Sequence, residues 1–155
     1  MSINIQIWVE ISHQASFRAG GWAYVLAEGS SRLGAAGGDR SVTAERIALA
    51  ALVAAVTAAP AGAIVEVRSA SPAVLAAAKR LSPGAEPPEE DLEHWAPLSA
   101  ALAARKVRFA ATTNAPRSPS AFALAWAELA RDKGKTAPFK ATIPKANLAK
   151  AGVPA

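Results

Sequence analysis

Between Thr43 and Pro60 the chain runs from Ala44 to Ala59 without a glycine or a proline, and from Ile47 onward it is apolar on nearly every side. A helix of that kind must be packed on more than one flank. The whole chain has 155 residues, enough for about one domain with a real core. The remaining segments must therefore supply the walls around this helix. Thr43 stands where an N-cap belongs, and Pro60 ends the run.

The segment before the helix has a different period. Ile3, Ile5, Ile7 and Val9 alternate with Asn4, Gln6, Trp8 and Glu10, which is the period of two of a strand, with Glu10 at its end and off the aliphatic row. A loop from Ile11 to Ala19 leads to Gly20-Gly21 and then to Trp22-Ala23-Tyr24-Val25-Leu26-Ala27, rich in strand formers. Glu28-Gly29-Ser30-Ser31 reads as a hairpin turn into a third strand near Arg32 to Ala36. After the helix, Ala63-Ile64-Val65-Glu66-Val67 is a short aliphatic strand, Ser71-Pro72 opens a helix through Leu81, and Ser82-Pro83-Gly84 closes it. The acidic run Glu86 to Glu93 suits the start of a helix over Leu92 to Ala104, where carboxylates meet the positive end of the helix dipole. Val107 to Ala111 makes a fifth strand, and Ser118-Pro119 opens a final helix ending at Lys133-Gly134. This order predicts an α/β fold: a mixed five-stranded sheet, three antiparallel strands then two parallel, flanked by helices.

Composition removes several function classes. There is no cysteine, hence no disulfide framework and no thiolate nucleophile or metal ligand. The stretch MSINIQIWVE lacks the basic and apolar regions of a signal peptide, and no run of about 18 apolar residues could span a bilayer, so the expectation is a cytoplasmic protein with no membrane partner. Charge is divided unevenly. From Met1 to Asp132, 12 Lys+Arg balance 12 Asp+Glu, while Lys133, Lys135, Lys140, Lys145 and Lys150 carry the whole net +5. A neutral domain over 1–132 with a basic tail over 133–155 is not the charge distribution of a duplex-gripping groove. Three prolines, and a lysine every five residues from Lys135 to Lys150, fit neither helix nor strand and predict a solvated, flexible tail.

Five stretches taken together resemble the successive signatures of type I ribonuclease H. They are Gly20-Gly21-Trp22-Ala23-Tyr24-Val25-Leu26, Thr43 with Arg46-Ile47-Ala48-Leu49-Ala50-Ala51-Leu52, Val67-Arg68-Ser69, Asp91-Leu92 with Trp95-Ala96-Pro97-Leu98-Ser99-Ala100-Ala101-Leu102, and Ala127-Glu128-Leu129-Ala130-Arg131. The resemblance spans Ile3 to Arg131 in family order and implies a ribonuclease H-like fold. It also implies a site, because the family cuts the RNA strand of RNA·DNA hybrids with two magnesium ions held by an Asp, a Glu, an Asp and a final Asp on four elements. Hard cations about 3.5 to 4 Å apart need that density of carboxylate oxygen. Carried over one by one, the four positions are Glu10, Ala48, Arg68 and Ala127, so one carboxylate remains, and Arg68 sets a permanent positive charge where a cation belongs. The loop of the family's mobile histidine reads Thr112-Thr113-Asn114-Ala115-Pro116, and two asparagines that touch the hybrid become Ala44 and Glu45. The family's basic protrusion is replaced by Glu86-Pro87-Pro88-Glu89-Glu90-Asp91.

The resulting expectation is a catalytically degenerate ribonuclease H-like protein, a pseudoenzyme with no metal or cofactor, kept as a nucleic-acid-associated binding or accessory module. Its partner would be RNA, DNA or a hybrid, or a protein of a nucleic-acid complex, with Arg68, Lys133, Lys135, Lys140, Lys145 and Lys150 as candidate contacts. One alternative is an active metal-dependent hybrid ribonuclease with a site rebuilt from Glu10, Glu45 and Glu66; another is a structural protein-interaction module. Plainer roles stand beside these. Glu10 reads as a leftover polar strand end, Arg68 as an ion-pair partner of Glu10 or Glu66, and His13 and His94 as surface residues. The four tryptophans read as core or core edge, with Trp8 able to stack a base from the polar face.

Overall fold

The computed structural model, which describes residues 4–40, 42–80 and 92–154, opens with an antiparallel meander of β1 (Ile5–Gln14), β2 (Ala19–Glu28) and β3 (Ser31–Arg40). β1 continues past Glu10, where the sequence suggests a loop, because Ile11 to Gln14 stay in register with Trp22 to Ala19. A 3-10 turn over Ala15–Phe17, followed by Arg18 in the left-handed region (φ 49°), reverses the chain. β3 also outruns its expected end at Ala36 and pairs with β2 as far as Arg40. Its glycines are weak strand formers, but close packing demands them. A Cβ on Gly38 would overlap the Ala130 carbonyl, and one on Gly21 would overlap that of Ala127.

Helix α1 (Ala44–Ala58) starts on Thr43, whose hydroxyl accepts from the Arg46 N–H at 3.1 Å. Seven of its residues, from Ile47 to Val56, are buried, as an all-round apolar helix requires. With α2 (Pro72–Lys79) and α3 (Leu92–Ala103), it covers the sheet face made by Ile5, Ile7, Val9, Val65 and Val67. β4 (Ile64–Ser69) lies parallel to β1, and β5 (Lys106–Ala111) parallel to β4. α2 ends at Lys79, before the expected Leu81; the stop at Ser82-Pro83-Gly84 and the acids from Glu86 to Asp91 lie outside the described residues. Helix α4 (Pro119–Gly134), capped by Ser118, crosses the opposite face of the sheet, where Ala123, Ala127 and Ala130 meet Ala23 and Ala36.

The stretch after Asp132 departs from its reading as a solvated tail. β6 (Phe139–Thr142) pairs antiparallel with β3, so the mixed sheet has six strands rather than five, in the order β5-β4-β1-β2-β3-β6. A short helix, α5 (Lys145–Leu148), follows, and Ile143, Leu148 and Ala151 are buried with Val25 against Phe122 and Trp126. The lysine spacing hides this because Lys140, Lys145 and Lys150 are all exposed, while the buried Ile143, Leu148 and Ala151 lie between and beside them. No helix among the described residues is long and apolar enough to cross a membrane.

Candidate functional site

Strand alternation places Glu10 on the α4 side of β1, opposite to Ile7 and Val9. Although ionisable, its side chain is only 1% exposed. One carboxylate oxygen accepts the Ala70 N–H at 2.8 Å and the other the Ser69 hydroxyl at 3.2 Å. The Ser120 hydroxyl is buried beside it, near enough to influence its charge but without a well-formed hydrogen bond to any group. Ser71 caps α2 and Ser118 caps α4, so the N-termini of both helices turn toward this one carboxylate. Their positive ends suit a negative charge. Burial nonetheless pushes the Glu10 carboxyl above its ordinary value, with the N–H groups of Ala70 and Ser71 and the hydroxyls of Ser120 and Ser69 pulling the other way.

The positions carried over from the resemblance do not all meet here. Ala48 is fully buried in the core with α1, and Ala127 is fully buried where α4 touches Gly21. Arg68 stands beside Trp8 in the parallel register, two residues short of Glu10. The residues at the β4 end that bond to Glu10 are Ser69 and Ala70, one and two positions past Arg68, and neither supplies a carboxylate. Instead, the Arg68 guanidinium donates to Glu66 at 2.6 Å, and Arg108 donates to the other Glu66 oxygen. Mainly through the Arg108 hydrogen bond, the Glu66 carboxyl is held below the usual range despite its burial. Glu45 is bonded to Arg80. Of the three acids suggested for a rebuilt site, then, two are engaged with arginines. Among the described residues no three of His, Asp and Glu come together in a way that could hold a metal ion. The described residues at Glu10 offer one carboxylate, which does not fit a pair of divalent cations.

The remaining candidates scatter. Lys133 sits 5.3 Å from the centre of the Phe139 ring, Lys135 pairs with Asp132 at 3.3 Å, and Lys140, Lys145 and Lys150 are exposed. His13 and His94 are partly buried rather than superficial: the His13 Nε2 lies 2.8 Å from the Val42 carbonyl, and the His94 Nδ1 lies 3.9 Å from Glu93. Trp8 is only 4% exposed and offers no face to a base. The sequence reading missed Ser69, Ala70 and Ser120. The signal for the first two is the Ser71-Pro72 helix start, which fixes where β4 must end.

No protein-family profile matches the sequence, and no curated protein is significantly similar to it. Solved structures match by shape. The N-terminal RNase H domain of a Mycobacterium tuberculosis protein superposes with a TM-score of 0.64 at 17% identity, covering 87% of this chain and 98% of that one. LC11-RNase H1, solved in complex with an RNA/DNA hybrid, gives 0.63 at 19% identity over 83% and 97%. RNase H1 of the halophilic archaeon Halobacterium salinarum gives 0.58 at 22% over 83% and 98%. These likenesses run over nearly the whole of each neighbour. The fold of this chain is ribonuclease H-like.

Proposed function

We propose that this ribonuclease H-like chain acts by binding nucleic acid and has given up two-metal hydrolysis. The lining of the Glu10 carboxyl carries the reading: two N–H groups, serine hydroxyls and two helix N-termini surround a buried group whose ionisation burial disfavours, and a divalent cation is offered a single carboxylate there. Hydrolysis through two metals asks for the opposite, several carboxylates whose repulsion the ions relieve. The likeness to a protein solved with an RNA/DNA hybrid makes that hybrid the first nucleic acid to test. Exposed Lys140, Lys145 and Lys150 supply phosphate contacts that position without reading sequence.

The test incubates the purified full chain with an RNA·DNA hybrid in magnesium and in manganese, and measures cleavage and binding in parallel. No cleavage is expected, with salt-sensitive retention of the hybrid. Cleavage that disappears in Glu10→Gln would overturn the proposal in favour of a rebuilt metal site. Failure to bind hybrid, duplex or single strands at low salt would overturn its binding half and leave the protein-interaction reading.

A further inference from the structure

Among the described residues β5 ends the sheet order, and one side of it meets no other strand. Its ladder to β4 is anchored by the Lys106 N–H donating to the Ala63 carbonyl and, at the far end, by the Thr112 N–H donating to the Ser69 carbonyl. In a parallel ladder the backbone groups of alternate residues point the same way. Lys106, Arg108 and Ala110 therefore face β4 with their N–H and C=O groups, while those of Val107, Phe109 and Ala111 point outward. Between Leu75, Ala78 and Lys79 on α2 and the strand from Val107 to Ala111 lies a largely apolar groove of about 630 Å3.

We propose that this edge is a docking site for an extended segment of a partner protein in which apolar and acidic residues alternate, added to the sheet as a seventh strand beside β5. Backbone pairing would use the outward groups of Val107, Phe109 and Ala111. Side chains of an added strand alternate between faces as those of β5 do. On one face, the register that sets Val107 beside Val65 and Phe109 beside Val67 directs apolar residues into the groove by Leu75. On the other face stand Lys106 and Arg108, both exposed, the latter to 69%. Glu66, the carboxylate between the arginines, is already shared by Arg68 and Arg108, so that rim keeps a net positive charge. Acidic residues in the partner would answer it. The same cations argue against a second copy as the occupant, because β5 laid against β5 would bring Lys106 and Arg108 near their own kind.

The test titrates the isotope-labelled full chain with the peptide acetyl-Glu-Val-Glu-Val-Glu-Val-amide and follows its amide resonances and their hydrogen exchange. Shifts and slowed exchange are expected at Val107, Phe109 and Ala111. Ala111→Pro removes one outward N–H without touching the β4 ladder and should weaken binding about tenfold, the worth of a good hydrogen bond. Lys106→Glu, which leaves backbone and groove intact, should weaken it about fivefold and stands as the readout if the proline variant fails to fold. The proposal is overturned if these amides do not respond at millimolar peptide, or if the Lys-Val counterpart binds as well. It is equally overturned if an RNA·DNA hybrid shifts these amides and the peptide does not, or if they become protected with rising protein concentration alone, the sign of a second copy.

Discussion

Two glutamates lie buried in the same sheet, Glu10 at 1% and Glu66 at 2% exposure, and their surroundings push them in opposite directions. Burial raises Glu10 above its ordinary 4.5, so the folded chain holds a proton there over a range where the unfolded chain has lost it. Stability from this residue is then greatest at the acid end and declines as pH rises from the ordinary carboxylate value through the raised one. Glu66 works the other way. The hydrogen bond from Arg108 lowers it, so its contribution is complete above the ordinary value and is lost as pH falls through the lowered one. Urea denaturation between about pH 3 and pH 7 separates the two. Glu10→Gln should abolish the decline on the alkaline side of this window, and an unchanged slope there would contradict the burial described for Glu10. Glu66→Gln should remove the acid-side loss and lower stability at neutral pH by only about 1 kcal/mol, because the side chains of Arg68 and Arg108 are 38% and 69% exposed and water screens the pair.

At the scale of elements, the segment after α4 is a structural part of the molecule. Ile143→Ala and Leu148→Ala should each cost about 2 to 5 kcal/mol, the usual loss for a buried aliphatic side chain. Ending the chain at Gly134 removes both residues and also the strand paired with β3. Against a total stability of about 5 to 15 kcal/mol, that truncation should leave a chain without a cooperative thermal transition. Circular dichroism melting decides the point, and an unchanged midpoint would return the segment to the status of a tail. The same elements mark what was legible in the sequence. The starts of α1, α2 and α4 were, because Thr43, Ser71 and Ser118 act through hydrogen bonds to residues three positions away. β6 and α5 were not, since four residues carry too little of any period. The neighbours of Glu10 were misplaced for another reason. Its bonds come from the Ser69 hydroxyl and the Ala70 N–H, and an apolar pattern carries no mark of either.

For the whole molecule, the net positive charge sits on the folded body rather than on a trailing arm. Lys135 is paired with Asp132 and the exposed Lys133 lies over the Phe139 ring; Lys140, Lys145 and Lys150 are exposed as well. If all three met phosphates of a B-form duplex, their share of the log–log salt slope would be about 2.7, at roughly 0.9 per phosphate neutralised. The triple variant Lys140→Gln, Lys145→Gln, Lys150→Gln should reduce the slope by up to that amount while keeping the melting temperature. An unchanged slope would place binding elsewhere on the surface. The pairing of β6 with β3 has a further consequence, in time. β3 ends at Arg40 and β6 begins at Phe139, so at ordinary rates of synthesis the first waits roughly 5 to 20 s for the second to be made. Throughout that interval the nascent chain carries an open strand edge, the usual template for sticking to other chains. The stretch later covered by β6 is Ala35, Ala36, Gly37 and Gly38, nearly devoid of side-chain atoms. Glycines that let α4 lie flush on the sheet thus also keep the last edge to be closed a poor handhold for neighbouring chains while the protein is still being made.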